Sequence, residues 1–150
     1  MRRAIHHYFM DIAYCVASRA TCPRRKVGCV IVDNNNNIKA TGFNGVPRGY
    51  PHCIDTPCPG RDVQGASKKN LCMAIHAEQN ALIQCSDINS IEAIYVTTQP
   101  CVVCARLIAN TSCKQVYYAE RYDQTEGIMI LKTLGIECFY IGGSYERKSN

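Results

Sequence analysis

The chain is predicted to form a single three-layer α/β domain over residues 1–150, with a mixed five-stranded sheet flanked by helices. Two observations predict this class. In the second half of the sequence, short apolar runs alternate with segments of helical apolar spacing, which implies parallel strands with right-handed crossovers. Near the N-terminus, two β-branched runs flank an asparagine-rich turn, which implies an antiparallel hairpin. We find no internal repeat or domain linker.

The first half is predicted to contain a helix, the hairpin and a long loop. Residues 2–19 place apolar side chains such as Ile5, Phe9 and Ile12 on one helical stripe. The runs 27–32 and 38–43 are the hairpin strands, because the four asparagines between them tolerate left-handed turns. Residues 44–70 are rich in proline and glycine, and a loop of this length in a compact domain is usually functional.

The second half is predicted to alternate between helix and strand. Pro100 suits the first turn of a helix, and Gly135 suits the end of one. The predicted helices are 74–85, 100–110 and 125–134, and the predicted strands are 93–98, 115–119 and 136–141.

Composition excludes several classes of protein. No apolar run approaches the roughly 20 residues needed to cross a bilayer, and polar residues interrupt any signal-peptide core near the N-terminus. We therefore expect a cytoplasmic protein without a membrane partner. The formal charge of +5 favours anionic ligands without separating a nucleotide from a nucleic acid. Eleven cysteines without an export signal indicate a reduced protein that uses some thiols as metal ligands.

Two segments predict a catalytic site, His76-Ala77-Glu78 and Pro100-Cys101-Val102-Val103-Cys104. Cys101 and Cys104 share one face of a first helical turn, where the helix N-terminus favours the thiolates that bind zinc. His76 begins the other helix. One histidine and two cysteines leave the fourth tetrahedral position open, as in catalytic zinc sites. Such a centre is nearly neutral, so a general base is needed nearby, and Glu78 is the candidate.

Other interpretations of these motifs stay open on the residues alone. His76 could be an ordinary core or surface histidine, and a C-x-x-C segment could be a redox pair or half of a structural zinc site. The chain could then be a non-catalytic zinc module that binds nucleotides or partners. Glu78 distinguishes these alternatives, because a purely structural site does not need it.

The sequence resembles the deoxycytidylate (dCMP) deaminases of the zinc-dependent cytidine and deoxycytidylate deaminase family over nearly its whole length. The resemblance is carried by segments that include Cys22–Arg24, Gly42–Gly45, Ile75–Ala81, Pro100–Cys104 and Tyr117–Tyr122. It implies the cytidine-deaminase-like fold and hydrolysis of dCMP to dUMP and ammonia for thymidylate synthesis. In the implied mechanism, a zinc-activated water attacks the cytosine ring while Glu78 shuttles protons.

The resemblance also implies substrate-binding residues. Asn44 matches a position that contacts the sugar and phosphate, although an Asn-Gly pair is also an ordinary turn signal. Any of the three consecutive basic residues before the first strand could pair with the 5′-phosphate. The full set of candidates is Asn44, Arg24, Arg25, Lys26, Ala77, Thr98 and Tyr122.

Regulation and assembly are implied in the same way. The family is controlled by dCTP as activator and dTTP as inhibitor, with Mg²⁺ on the triphosphate, in a homohexamer. The corresponding effector residues here are Asn44, Gly45 and Gly49, since glycines let backbone N–H groups approach phosphate.

A second, structural zinc is also expected, because relatives have one near the long loop. Its candidate ligands are Cys22, Cys53, Cys58 and Cys72, with His52 as an alternative to Cys53. A closed zinc site would stabilise a loop that has few large apolar residues. The alternative is a set of scattered reduced thiols.

Two related activities compete with dCMP deamination, namely deamination of free cytidine and of a base in single-stranded nucleic acid. A nucleic-acid channel needs stacking aromatic side chains. This chain has no tryptophan and only three phenylalanines, so its composition argues against a nucleic-acid substrate.

Overall fold

A computed structural model describes residues 1–61 and 71–145. Its helices are α1 (Ile5–Ala17), α2 (Ala77–Gln84), α3 (Val102–Ala109) and α4 (Glu126–Thr133). Its strands are β1 (Gly28–Val32), β2 (Ile38–Phe43), β3 (Ala93–Thr98), β4 (Gln115–Glu120) and β5 (Glu137–Tyr140), followed by a 3-10 turn at Gly142–Ser144. Within residues 1–61 and 71–145, these helices and strands follow the predicted order. Residues 62–70 of the predicted loop lie outside the described residues.

The helices α2 and α3 begin two or three residues later than predicted. The residue before each helix has extended backbone, with φ −71° and ψ 156° at His76 and φ −74° and ψ 173° at Cys101. Each is therefore an N-cap, whose dihedral angles lie outside the helical region while its carbonyl accepts the first helical hydrogen bond.

The strands form one mixed sheet in the order β2-β1-β3-β4-β5. β1 pairs antiparallel with both β2 and β3, whereas β3, β4 and β5 run parallel. In the hairpin turn, Asn36 has φ 61° and one carboxylate oxygen of Asp33 accepts hydrogen bonds from the Asn35 and Asn37 N–H groups, both at 2.9 Å. The predicted hairpin and the mixed five-stranded sheet are both confirmed.

The sheet is buried on both faces, which makes the fold three-layered. Residues that alternate along β1, β3 and β4 pack against α2, α3 and α4 on one face, among them Ile31, Val96 and Val116. The intervening residues, such as Val30 and Tyr95, pack against α1 on the other face. All six residues of β3 are buried, as expected for a central strand covered on both sides. Within residues 1–61 and 71–145, no helix combines the length and apolar character that a membrane crossing requires.

Gly42 sets the distance between β2 and α2. A Cβ atom at this position would lie 2.3 Å from the Ala77 carbonyl oxygen and 2.4 Å from the Ala81 nitrogen. Both are backbone atoms of a packed helix, so a side chain here would force the helix away from the sheet. Because α2 begins directly after His76, this close packing also places the predicted site.

We expect Gly42→Ala to lower the free energy of unfolding by about 1–3 kcal/mol, the usual cost of overpacking. Denaturant titration of the variant and the wild-type protein measures it. Gly143→Ala is the matched control, because a Cβ there meets no atom within 4 Å and little change is expected. Equal stability of Gly42→Ala and wild type would contradict the close-packing argument.

Candidate metal centre

The residues of the predicted site meet at one edge of the sheet. At this edge Gly28, which begins β1, is paired with Phe43, which ends β2. The same edge contains Thr98 and Glu120, paired residues at the carboxyl ends of β3 and β4. Open α/β sheets place their sites outside the carboxyl ends of parallel strands. The loops that follow these strand ends therefore bring distant segments together.

His76 is held in place by hydrogen bonds on both sides. The preceding residue, Ile75, exchanges two backbone hydrogen bonds with Gly45, at 2.8 and 3.1 Å. The His76 N–H donates to the Gln79 side-chain oxygen at 2.8 Å, and the Asn80 side-chain amide donates to the Phe43 carbonyl at 2.8 Å. These contacts tie the first turn of α2 to the end of β2.

Cys101 and Cys104 lie at the start of α3. Cys101 is the N-cap, and its sulfur accepts a hydrogen bond from the Cys104 N–H at 3.5 Å. Cys104 lies one turn into the helix and is fully buried. The spacing thus puts both sulfurs on the same side of one helix terminus.

The structure brings the three predicted ligands together. The His76 Nδ1 atom is 3.5 Å from the Cys101 sulfur and 3.3 Å from the Cys104 sulfur. Tetrahedral zinc with bonds of about 2.3 Å to sulfur and about 2.0 Å to nitrogen requires N···S separations of roughly 3.5 Å. In the described part of the chain, this is the group of ligand side chains whose donor atoms all lie within 4.8 Å of one another. The donor set and its spacing therefore fit a zinc ion.

The two sulfurs compete for one proton. The pKa of Cys101 is lowered, chiefly by its hydrogen bond with Cys104 and further by His76, against the opposing effect of burial. The pKa of Cys104 is raised, first by the same contact and then by burial. One thiolate of the pair is therefore already favoured before a metal ion arrives, and the cation would displace the remaining proton.

Glu78 is a buried acid beside this group, with only 5% of its surface exposed. Burial raises its pKa to about 7, partly offset by its own backbone N–H and by His76. Its carboxyl group also interacts with the Cys104 thiol. A carboxyl group with a pKa near 7 is able both to accept and to donate a proton at neutral pH, as a general acid–base requires.

The predicted substrate residues surround the same edge. Asn44 is buried, and both ends of its carboxamide hold the segment before β1: the nitrogen donates to the Arg25 carbonyl and the oxygen accepts from the Val27 N–H, each at 2.8 Å. Ala77 and Thr98 are buried, whereas Arg24 and Lys26 are exposed. Asn44 therefore shapes this segment, whatever else it contacts.

Arg25 and Tyr122 meet across the edge. The guanidinium carbon of Arg25 lies 4.6 Å from the centre of the Tyr122 ring, which is a cation–π contact. Sequence reasoning missed Gln99, whose side chain donates to two carbonyls of the loop that contains Tyr122. The sequence feature that could have identified Gln99 is its position as a single polar residue between an apolar strand and the Pro100-Cys101 turn.

The second predicted group of ligands is less compact. Cys22, Cys53, Cys58 and Cys72 line one small cavity, and the Cys58 N–H donates to the Cys53 sulfur at 3.3 Å. Their sulfurs do not all lie within 4.8 Å of one another, unlike the His76 group. His52 is exposed. All eleven cysteines are free thiols in the structure.

The chain is similar in sequence to known deaminases. Residues 3–120 match the model of the cytidine and deoxycytidylate deaminase zinc-binding region. The deoxycytidylate deaminase of Saccharomyces cerevisiae is 35% identical over 139 residues, which are 91% of this chain and 44% of that protein. The deoxycytidylate deaminase of Mycobacterium phage D29 is 40% identical over 120 residues, 74% of this chain and 91% of that protein.

A solved structure supports the same relationship. The dCMP deaminase of cyanophage S-TIM5, in complex with dCMP and dUMP, superimposes with a TM-score of 0.76 at 32% identity, covering 94% of this chain and 99% of that one. The predicted cytidine-deaminase-like fold is thereby confirmed. The chain spans less than half the length of the two yeast relatives, 44% and 42%.

We expect Cys104→Ser to weaken zinc binding by more than about 100-fold. Loss of a residue that only hydrogen-bonds a metal ligand typically costs about 10–100-fold, and Cys104 is a ligand itself. Elemental analysis after dialysis against a chelator measures the retained zinc. Cys138→Ser is the control, because its partly buried sulfur donates to the Ile136 carbonyl at 3.7 Å and lies outside the group of candidate ligands. Full zinc retention by Cys104→Ser would remove this residue from the site.

Proposed function

The chain belongs to the cytidine and deoxycytidylate deaminase family, and from this premise we propose that it hydrolyses dCMP to dUMP and ammonia. The observation that carries the proposal is the buried carboxyl group of Glu78 beside the His76, Cys101 and Cys104 donors. A closed structural metal site needs four protein ligands and no acid. Here three ligands and one acid with a raised pKa are grouped together.

Zinc, when bound by His76, Cys101 and Cys104, would supply an acidified water and a local positive charge. Glu78 would accept the proton that this water loses as its oxygen bonds to C4 of the cytosine ring. It would pass that proton to N3 and then carry the proton of the new C4 hydroxyl group to the amino nitrogen, so that the C4–N bond breaks, ammonia leaves and the C4 carbonyl of dUMP forms. The raised pKa of Glu78 supports both directions of transfer.

Recognition of the nucleotide is proposed to fall on the rim of the site. Arg24, Arg25 and Lys26 are exposed on the segment that Asn44 anchors, and they would attract the 5′-phosphate. The formal charge of +5 favours an anionic substrate in general. Buried Ala77 and Thr98 would contact the base, and Tyr122 would close over the bound nucleotide.

Regulation by dCTP and dTTP with Mg²⁺ is proposed for the segment from Asn44 to Gly49. Gly49 is exposed with φ 86°, so its backbone N–H is available for a phosphate oxygen. The Gly45 N–H is already donated to the Ile75 carbonyl at 3.1 Å. Among the glycines proposed for this site, Gly49 is therefore the better phosphate ligand.

Assembly into a homo-oligomer, proposed to be a hexamer, is supported by exposed apolar side chains on the helical layer. These are Ile83 on α2, Val103 and Leu107 on α3, and Met129 on α4, with exposures of 74%, 46%, 43% and 61%. Large exposed apolar groups on neighbouring helices are typical of a surface that a partner covers.

We expect purified zinc-loaded protein to release ammonia from dCMP and much more slowly from deoxycytidine or a cytosine-bearing oligonucleotide, because the basic rim selects a monophosphate. The assay is run with and without dCTP or dTTP plus Mg²⁺. Glu78→Gln should lower kcat by about 10²–10⁴, the usual contribution of general acid–base catalysis.

Glu92→Gln is the matched control for this assay. Glu92 pairs with Lys114 at 3.3 Å, outside the candidate site, so its loss should leave kcat unchanged. Turnover of the oligonucleotide alone would overturn the dCMP proposal in favour of a nucleic-acid substrate. Wild-type activity in Glu78→Gln would remove Glu78 from its assigned role.

A second, structural zinc is proposed in the cavity between Cys22, Cys53, Cys58 and Cys72. Four thiols around one cavity provide the donor number of a closed zinc site. The burial of Cys53 and Cys58 supports these two as ligands, and the exposure of His52 makes it the weaker alternative to Cys53.

Metal analysis of the native protein should therefore find about two zinc ions per chain, and Cys58→Ser should retain about one, bound at the His76 site. The variant should also unfold at lower denaturant concentration, because the metal no longer stabilises the loop. Cys85→Ser changes a buried cysteine outside both groups and should keep both ions. A single zinc ion in the native protein would contradict the second site.

A further inference from the structure

Gln99 connects the metal centre to the loop that contains Tyr122. It follows the last residue of β3 and precedes the Pro100-Cys101 turn by one position. Only 7% of its surface is exposed, so its carboxamide must find partners within the protein. The partners it finds all belong to one segment, the loop that follows β4.

Three hydrogen bonds join Gln99 to Glu120, the last residue of β4, and to alternate residues of the loop that follows it. Its backbone N–H donates to the Glu120 carbonyl at 2.9 Å. Its side-chain nitrogen donates to the Tyr122 carbonyl at 3.2 Å and to the Gln124 carbonyl at 2.8 Å. A primary amide has two N–H groups, and two carbonyls of the loop accept from them.

The loop makes two side-chain contacts near its ends: the Arg121 guanidinium lies 3.9 Å from the centre of the Tyr140 ring, and the Thr125 hydroxyl donates to the Met129 sulfur at 4.0 Å. Residues 121–126 are all exposed, so burial of apolar surface contributes little to their placement. Both ends are fixed, by pairing of Glu120 with Thr98 and by close packing of Gly127, where a Cβ would lie 2.3 Å from the Pro100 carbonyl oxygen. Between these ends, the Gln99 carboxamide is the buried anchor.

The anchored residue then meets the opposite side of the rim. Tyr122 lies beneath the Arg25 guanidinium, and the Arg25 carbonyl accepts a hydrogen bond from buried Asn44. Two buried carboxamides, Gln99 and Asn44, thus hold the two segments that touch across the site. Loss of either anchor would free one side of this contact.

We propose that Gln99 is a positioning residue for substrate binding, which holds loop 121–125 so that Tyr122 stays against Arg25 at the rim. This inference rests on the proposed dCMP deamination. The Gln99 side chain is bonded to the loop and not to His76, Cys104 or Glu78. Its removal should therefore impair binding of the nucleotide more than the chemical step.

Gln99→Met tests this, because it keeps the length of the side chain and removes both donors. We expect the KM for dCMP to rise about tenfold and kcat to change less than about threefold, as the loss of two modest hydrogen bonds would allow. Zinc content should be unchanged. In zinc-loaded protein without substrate, amide hydrogen exchange at residues 121–125 should become faster.

Two further variants separate positioning from general destabilisation. In a Tyr122→Ala background, Gln99→Met should change KM less than about twofold, because residues that act through one another are not additive. Ser112→Ala is the matched control: its hydroxyl contacts the Ile88 and Ile91 carbonyls at 3.1 and 2.8 Å in another loop, and its loss should leave KM unchanged.

Unchanged exchange in loop 121–125 of Gln99→Met would overturn the anchor. An equal rise in KM for Ser112→Ala, or additive effects with Tyr122→Ala, would overturn its role in binding. Absence of dCMP turnover in the wild-type protein would instead count against the proposed function, and the exchange measurement would still decide whether Gln99 holds the loop.

Discussion

The site depends on the convergence of two helix N-termini at one edge of the sheet. His76 and Cys101 are both N-cap residues, and the sheet brings these caps within 3.5 Å of each other although 25 residues separate them in the sequence. Their dihedral angles are set by local capping, but their separation is set by the strands beneath them. A metal site depends on both the local capping and the sheet, because its ligand atoms must point toward one centre and lie close together.

Close backbone packing transmits the geometry of the sheet to the site. Gly42 lets α2 lie directly on β2, and Gly127 lets α4 lie against the Pro100-Cys101 turn. Neither glycine has a side chain that could take part in the chemistry of the site. Their effect is to remove the Cβ atoms that would hold the ligand-bearing turns away from the sheet. The spacing of the ligands is thus a consequence of packing several residues away.

Charge is distributed differently at the centre and at the rim. The centre contains a thiol pair, an imidazole and a carboxyl group whose pKa is raised by burial, so a bound dication would leave it close to neutral. The rim contains the exposed basic residues Arg24, Arg25 and Lys26. Because surface charges are screened by water and salt, the basic rim has little effect on the protonation of the buried acid.

The sequence by itself determined the order of elements, the hairpin and the ligand types, because these follow from local periodicity, turn chemistry and short motifs. It predicted His76, Glu78, Cys101 and Cys104 as one group and the family to which the chain belongs. Only the tertiary structure decided that Gln99 bonds to Tyr122 and Gln124, and that Asn44 bonds to Arg25 and Val27. These partners are 17–25 residues apart in the sequence, and no local pattern specifies which distant carbonyl a buried amide will meet once the strands have paired.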